Sequence, residues 1–386
     1  MEKVRRVGVV AGAVVMVAGV VVGTAPGASA SVSEVRHASA ATTARAAAEG
    51  TAGARSSAEA EARSSAGAEA SGRGARAAAR TRGAAGTVRY AWLGSCAKGK
   101  YEVPCGDWKL VMRSGKTLAV RDATVFPVKA NGKADKEGSA PFAVSADGTR
   151  ILYFRKSDRK LVWREAKGGR AHGLPGATAR VPKGIGMDDV HAALSPDGGV
   201  VVLDYLDEGD RFPTLVVDLA DGHVARIPGS DAVHGFSPDG RRILVSRQTG
   251  DNTTEFAVYD TEGAQAESRE VPQVVSNNAP VALADDGVTV AVVIVPSKGR
   301  PRLRQYDLST DAVSPAVDLP IPAQDSPYQI FWDGAGKLTL WHLRAQEGGM
   351  ISRITASAVD PATGGLRKID SFKGPSHVWT WWLPGE

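Results

Sequence analysis

Asp-Gly turns recur along this chain at nearly even spacing, and that repeat constrains the fold more than any other feature. They are Ser145-Ala146-Asp147-Gly148, Ser195-Pro196-Asp197-Gly198, Ser237-Pro238-Asp239-Gly240 and Ala284-Asp285-Asp286-Gly287, with a degenerate copy at 333–336. Successive aspartates of the four lie 50, 42 and 47 residues apart. Glycine accepts positive φ and a preceding proline presets the turn's entry, so each motif suits a tight hairpin connection. A fixed period of this length signals a repeat architecture.

Each turn is followed by a β-rich run: Arg150–Phe154, Val200–Tyr205, Arg242–Ser246, Val288–Val295 and Lys337–Leu343. A second run then ends in an aspartate, as in Leu215–Asp218, Phe256–Asp260 and Arg304–Asp307. A short fourth strand, such as Ala225–Pro228 or Glu270–Pro272, completes the unit. Four strands in a unit of this size match a propeller blade, whose twisted sheet buries both faces against its neighbours. No helical segment is needed.

Five such units begin near Ser139, Asp189, Asp231, Asn278 and Ser326. Two pieces are left over: Val88–Val128, with three strand-like runs, and the terminal His377-Val378-Trp379-Thr380-Trp381-Trp382. Joined, they make one more blade from both ends of the chain, which leaves no open sheet edge. The expectation is an all-β, six-bladed β-propeller over 88–386, with seven blades as the alternative if Val88–Asp122 divides differently.

The run Phe236-Ser237-Pro238-Asp239-Gly240-Arg241-Arg242-Ile243-Leu244-Val245 closely resembles the repeat of TolB-type propellers, and Leu194-Ser195-Pro196-Asp197-Gly198 repeats it. The resemblance covers roughly Ser139–Leu343. It implies a propeller of the kind found in periplasmic translocation proteins, in the non-catalytic propellers of prolyl-oligopeptidase-like peptidases and in other exported proteins. Unlike TolB, this chain has no stretch within 31–87 that could fold as a separate α/β domain.

The first 30 residues read as a secretory signal. Lys3, Arg5 and Arg6 precede an apolar run from Val7 to Val22, and Ala28-Ser29-Ala30 supplies a small-residue cleavage site. A helix of that length spans roughly 24 Å against about 30 Å of hydrocarbon, which favours a cleaved leader over an uncleaved anchor. Residues 31–87 contain no Phe, Tyr, Trp, Leu, Ile or Met, and 21 of the 57 are alanine. Such a segment cannot bury a core and reads as a disordered tether. The mature chain is expected to be secreted or wall-associated, with no membrane span after cleavage.

The formal net charge of +5 sits in these two segments, which carry three Lys/Arg against one Glu and eight Arg against five Glu. Residues 88–386 balance at 36 against 36, so the folded part has no footprint for nucleic acid. Cys96 and Cys105 are the sole cysteines, and in an exported chain they read as a disulfide closing a small loop.

No Gly-x-Ser-x-Gly elbow, His-Glu-x-x-His helix, phosphate loop or paired-Cys zinc spacing occurs. Three weaker candidates stand. His191, His234 and His377 each open an expected innermost strand and could face the tunnel mouth. Asp204, Asp207, Glu208 and Asp210 crowd one loop, a weak metal candidate without calcium-hand spacing. Trp379 and Trp381 are expected on one face of the closing strand and Trp382 on the other, as a ligand platform or as packing. The resulting expectation is a monomeric, non-catalytic module without cofactor that binds a protein, peptide or envelope glycan. The alternative is a lactonase- or lyase-like enzyme with residues dispersed over blades.

Overall fold

The structure, a computed structural model, describes residues 85–386 except 208, 334 and 347–349. The expected signal segment, almost all of the expected tether, and Glu208 lie outside the described residues.

Six antiparallel sheets form the ring. From the axis outward, blade 1 is Val378–Trp382, Val88–Lys98, Tyr101–Met112 and Thr117–Val120. Blade 2 is Phe142–Val144, Arg150–Phe154, Leu161–Glu165 and His172–Gly173. Blade 3 is Val190–Leu194, Val200–Tyr205, Thr214–Asp218 and Val224–Ile227, and blade 4 is Ala232–Phe236, Arg242–Gln248, Thr254–Asp260 and Gln265–Val271. Blade 5 is Val281–Leu283, Thr289–Ile294 and Arg302–Asp307, with an outer edge split into Ala312–Val313 and Val317–Asp318. Blade 6 is Asp325–Trp332, Leu338–Ala345, Ile351–Val359 and Leu366–Lys373. Among the described residues, helix is confined to Gln273–Ser276 and two 3-10 turns. Six blades are present, and the C-terminal strand closes blade 1 from inside, pairing Trp381 with Trp92 and Trp382 with Ala91.

The turn motifs hold their shape through their own side chains. Ser195 Oγ donates to Asp197 Oδ1 at 2.8 Å and accepts from the Val200 amide at 2.9 Å, while Asp197 Oδ1 accepts from the Gly199 amide at 2.8 Å. Ser145 and Ser237 repeat this arrangement, and all three serines are fully buried. The turns also stack blade on blade. Gly148, at φ 71°, lies against Val88, whose amide donates to its carbonyl at 2.8 Å, and a Cβ there would come within 2.7 Å of Val88 O. Gly198 packs against the Arg150 side chain, whose Nη1 donates to its carbonyl at 2.9 Å.

One apolar cluster fills each seam between blades, which is why no blade stands alone. Trp108 and Phe142 join blades 1 and 2, and Leu152, Leu161 and Leu203 join blades 2 and 3. Val216 and Ile243 join blades 3 and 4, Val258 and Tyr306 join blades 4 and 5, and Leu303 and Leu340 join blades 5 and 6. Trp341, Ile354 and Leu383 join blade 6 back to blade 1, where Arg89 and Arg113 also converge on Asp370 at 3.1 and 3.2 Å.

Every blade repeats the same meander, so the ring has two distinct ends. The Asp-Gly turns mark one. At the other, the loop end, lie the connections between second and third strands and those leading into each innermost strand. Cys96 and Cys105 are bonded across the blade 1 hairpin at this end, with Cα atoms 5.8 Å apart. The main chain of Ala85 and Thr87 already accepts hydrogen bonds from Ser114 and Arg113, so blade 1 takes in the last residues of the stretch read as tether.

Candidate functional site

The loop end gathers the predicted histidines, because each innermost strand begins there. No group of three His, Cys, Asp or Glu side chains close enough to hold a metal occurs among the described residues. His191 is opposite Asp204 in the ladder, and burial lowers its pKa. His234 Nε2 lies 2.8 Å from Ser246 Oγ, and its ring leans on Phe256. Desolvation pushes its pKa down to about 4. His377 precedes the closing strand at φ 52°, exposed.

A β-bulge sets His234 apart from His191. The ladder of blade 4 passes from Val233 to Gly235 opposite consecutive partners, leaving His234 as the extra residue. Tyr328 in blade 6 and Trp379 in blade 1 are extra residues at the same place, three past Asp325 and Ser376 as His234 is three past Asp231. A bulge re-aims the side chain it carries. Strict alternation therefore misplaces the tryptophans: Trp379 packs with Trp382 on the seam of blades 1 and 2, and Trp381 on the seam of blades 6 and 1. The three indoles stay half-buried.

The acidic loop divides as well. Asp204 is buried in its strand, accepts from Thr214 Oγ1 at 3.0 Å, and burial pushes its pKa up to about 6. Asp207 pairs with Arg211 at 3.0 Å. Burial opposes its ionisation, but bonds from the Arg211 and Phe212 amides and the Arg211 side chain carry its pKa downward. Asp210 shares no such partner and sits at φ 50°.

Two constellations escape sequence reading. In blade 6, Asp325 accepts from His342 Nδ1 and Arg344 Nε, both at 2.7 Å, and His342 Nε2 lies 3.3 Å from Ser357 Oγ. With Nδ1–H directed at the carboxylate, Nε2 accepts from the serine, which is the order of an acyl-transfer triad. Ser357, His342 and Asp325 are only 3, 4 and 8 % exposed, and the serine lies inside the third strand. A nucleophile so enclosed meets no substrate; the network ties the sheet together. Blade 4 repeats its base, with buried Asp231 accepting from Tyr259 at 3.3 Å and Arg247 at 3.5 Å. One sequence signal was available: Asp189, Asp231 and Asp325 each lie eight residues before their turn aspartate, Asp197, Asp239 and Asp333.

The second constellation joins blades 6 and 1. Tyr328 donates to Glu386 Oε1, the Leu383 amide donates to Oε2 at 2.8 Å, and the Tyr328 ring lies 5.2 Å from Trp381. Burial pushes the Glu386 carboxyl up to about 7. On the same innermost strands, buried Gln329 Oε1, Trp332 Nε1 and Trp382 Nε1 have no protein partner, which leaves them for water or ligand.

The raised Glu386 pKa has a stability consequence. The folded state binds more protons than the unfolded one between the ordinary glutamate range and about 7, so stability falls as pH rises through that window. His234 acts in the opposite sense, favouring the fold as pH rises from about 4 to the ordinary histidine range. Glu386→Gln is expected to remove the first slope alone. Between pH 5 and pH 8 it should lose about 1–3 kcal/mol less stability than the parent in urea melts, a ceiling set by the size of the shift. Identical pH profiles would show that the carboxyl does not titrate there.

The loop end also carries the exposed apolar side chains. Tyr101 at the tip of the disulfide-bonded hairpin is 78 % exposed and Met350 is 61 % exposed. Leu206, Val274 and Val295 project from the same end of blade 3, the blade 4 to blade 5 connection and blade 5. Among the described residues, Ile369, on an outer strand, is the one large exposed hydrophobic found elsewhere.

Sheet order and closure define the class as a six-bladed β-propeller. Solved structures similar to it include TolB from Acinetobacter baumannii, at 16 % identity and TM-score 0.43 over 78 % of this chain and 68 % of that one. A putative TolB from Agrobacterium tumefaciens has 12 % identity and TM-score 0.42 over 75 % of this chain and 90 % of that one. An acylaminoacyl peptidase from Pyrococcus horikoshii has 13 % identity and TM-score 0.41 over 73 % of this chain and 44 % of that one. No family model and no curated protein matches the chain.

Proposed function

We propose that this chain is an exported, non-catalytic binding module that holds a protein partner against the loop end of its propeller. One observation carries the reading: five large apolar side chains, Tyr101, Leu206, Val274, Val295 and Met350, stand in water at that end. Exposed apolar side chains confined to one end of a fold mark an interaction surface, and the mostly non-aromatic ones here suit a protein surface better than a sugar. The leader-like start, the tether and the disulfide support a secreted or wall-associated site of action.

The test is site-specific photo-crosslinking in cells. A crosslinker at Tyr101 or Met350 should trap one envelope protein, and the same group at Asp239 or Asp286, on the turn end, should not. Equal yields from both ends, or none from either, would overturn the reading.

A dispersed-residue enzyme of the lactonase or lyase kind draws on one observation, the Tyr328–Glu386 pair with its carboxyl poised near neutrality. Turnover of a lactone or uronide that Glu386→Gln abolishes, with the fold intact, would replace the binding reading with this one.

A further inference from the structure

We infer that the loop end of blades 1 and 2 is a docking surface for an anionic lipid bilayer. The charge of the folded part is even in total and uneven in space. Residues 88–190, which build blades 1 and 2 and lead into blade 3, carry 20 Lys/Arg against 10 Asp/Glu, while residues 191–386 carry 16 against 26. Within the basic part, the loop-end segments 98–101, 121–141, 155–160 and 174–189 hold twelve Lys/Arg against six Asp/Glu. Three of those acids are already engaged: Asp122 with Arg164 at 3.6 Å, Asp135 with Lys129 at 2.7 Å and Asp158 with Arg155 at 2.6 Å.

Polar contacts draw these segments into one surface. Lys156 Nζ pairs with Asp107 of the blade 1 hairpin at 3.0 Å and donates to the Arg121 carbonyl at 2.8 Å. The Lys129 amide donates to the Lys133 carbonyl at 2.9 Å, and the Met187 amide donates to the Val128 carbonyl at 2.8 Å, which seats the 128–134 hairpin against the segment that carries Lys183. Lys98, Lys100, Lys133, Lys136, Arg159 and Lys183 stand exposed on this surface. Eight of the twelve cations are lysines. Lysine is depleted and arginine enriched where proteins meet, because a planar fork holds a fixed partner better than a mobile ammonium does. A fluid layer of lipid phosphates demands no fixed geometry, and an ammonium on a long stem settles wherever the headgroups stand. Tyr101, next to Lys100 at the hairpin tip, adds the amphipathic ring that the headgroup region favours.

The inference goes beyond the protein-binding reading and does not rest on it, since the other four exposed apolar side chains of the loop end lie on blades 3 to 6 or between them. Cosedimentation of the chain after its expected leader, residues 31–386, with lipid vesicles is the test. The chain should pellet with mixed phosphatidylglycerol and phosphatidylcholine vesicles at low ionic strength, should stay in solution with phosphatidylcholine alone, and should be released as salt screens the attraction. The variant Lys98→Gln, Lys100→Gln, Lys133→Gln and Lys136→Gln should lower the partition about a hundredfold or more, at roughly fivefold per lysine, with its urea midpoint unchanged. Lys337→Gln with Arg367→Gln, at the turn end, should pellet as the parent does. Equal pelleting with phosphatidylcholine alone, no pelleting with either vesicle, or an unchanged partition in the four-lysine variant would overturn the surface. Retention by polyglutamate without pelleting on phosphatidylglycerol would also overturn it and give the lysines to an acidic protein.

Discussion

A chain cut after Ser376 is expected to lose cooperative folding. The cut removes Val378–Trp382, the innermost strand of blade 1, and with it Trp379 and Trp382 from one seam and Trp381 and Leu383 from the next. Val88–Lys98 would then present an unpaired edge along its inner side. Each buried aromatic or leucine contributes on the order of 1.5–3 kcal/mol when fully covered, and somewhat less for half-buried indoles. Four of them, plus the lost ladder, rival a whole domain's stability of about 5–15 kcal/mol. The truncated protein should show no sigmoidal urea transition and should associate through the open edge. A peptide of residues 377–386 added in trans should restore part of the transition. A melt indistinguishable from the parent's would mean that the ring does not depend on this closure.

Asp325→Ala is expected to cost about 3–5 kcal/mol, the largest effect of a single substitution away from the aromatic core. The carboxylate accepts from two groups at once, His342 and Arg344, and its removal leaves both without their acceptor in a largely buried strand end. Asp325→Asn keeps an acceptor and should cost less. Asp231→Ala, at the matching place in blade 4, should fall below Asp325→Ala, because Glu255 still holds Arg247 at 2.8 Å. Urea midpoints at constant m-value read all three. A loss under about 1 kcal/mol for Asp325→Ala would show that solvent takes over the partners.

The legible parts of this protein are those whose chemistry is local. Turn residues fix φ and self-bond within a few positions, so Arg150–Phe154 and Val200–Tyr205 match the observed strands at both ends. Outer strands read less well: Glu270–Pro272 was the expectation and Gln265–Val271 the outcome, since a half-exposed edge carries little alternation. The closing blade was legible from leftover pieces, because an unpaired edge is costly wherever it falls.

The site was legible only in outline. The sequence by itself determined five repeating units, and its leftover end pieces pointed to a sixth blade closed by the termini with seven as the alternative, through turn chemistry and the need to pair every edge; the structure has six. Tertiary structure alone decided which side chains meet. Bulges at His234, Tyr328 and Trp379 broke the alternation that assigns faces, and one shifted residue sends a side chain to the other seam. Asp325, His342 and Ser357 sit on three strands, and Tyr328 and Glu386 meet from 58 residues apart. No sequence spacing announces either set, because lateral neighbours in a sheet are chosen by register between strands and not by order along the chain.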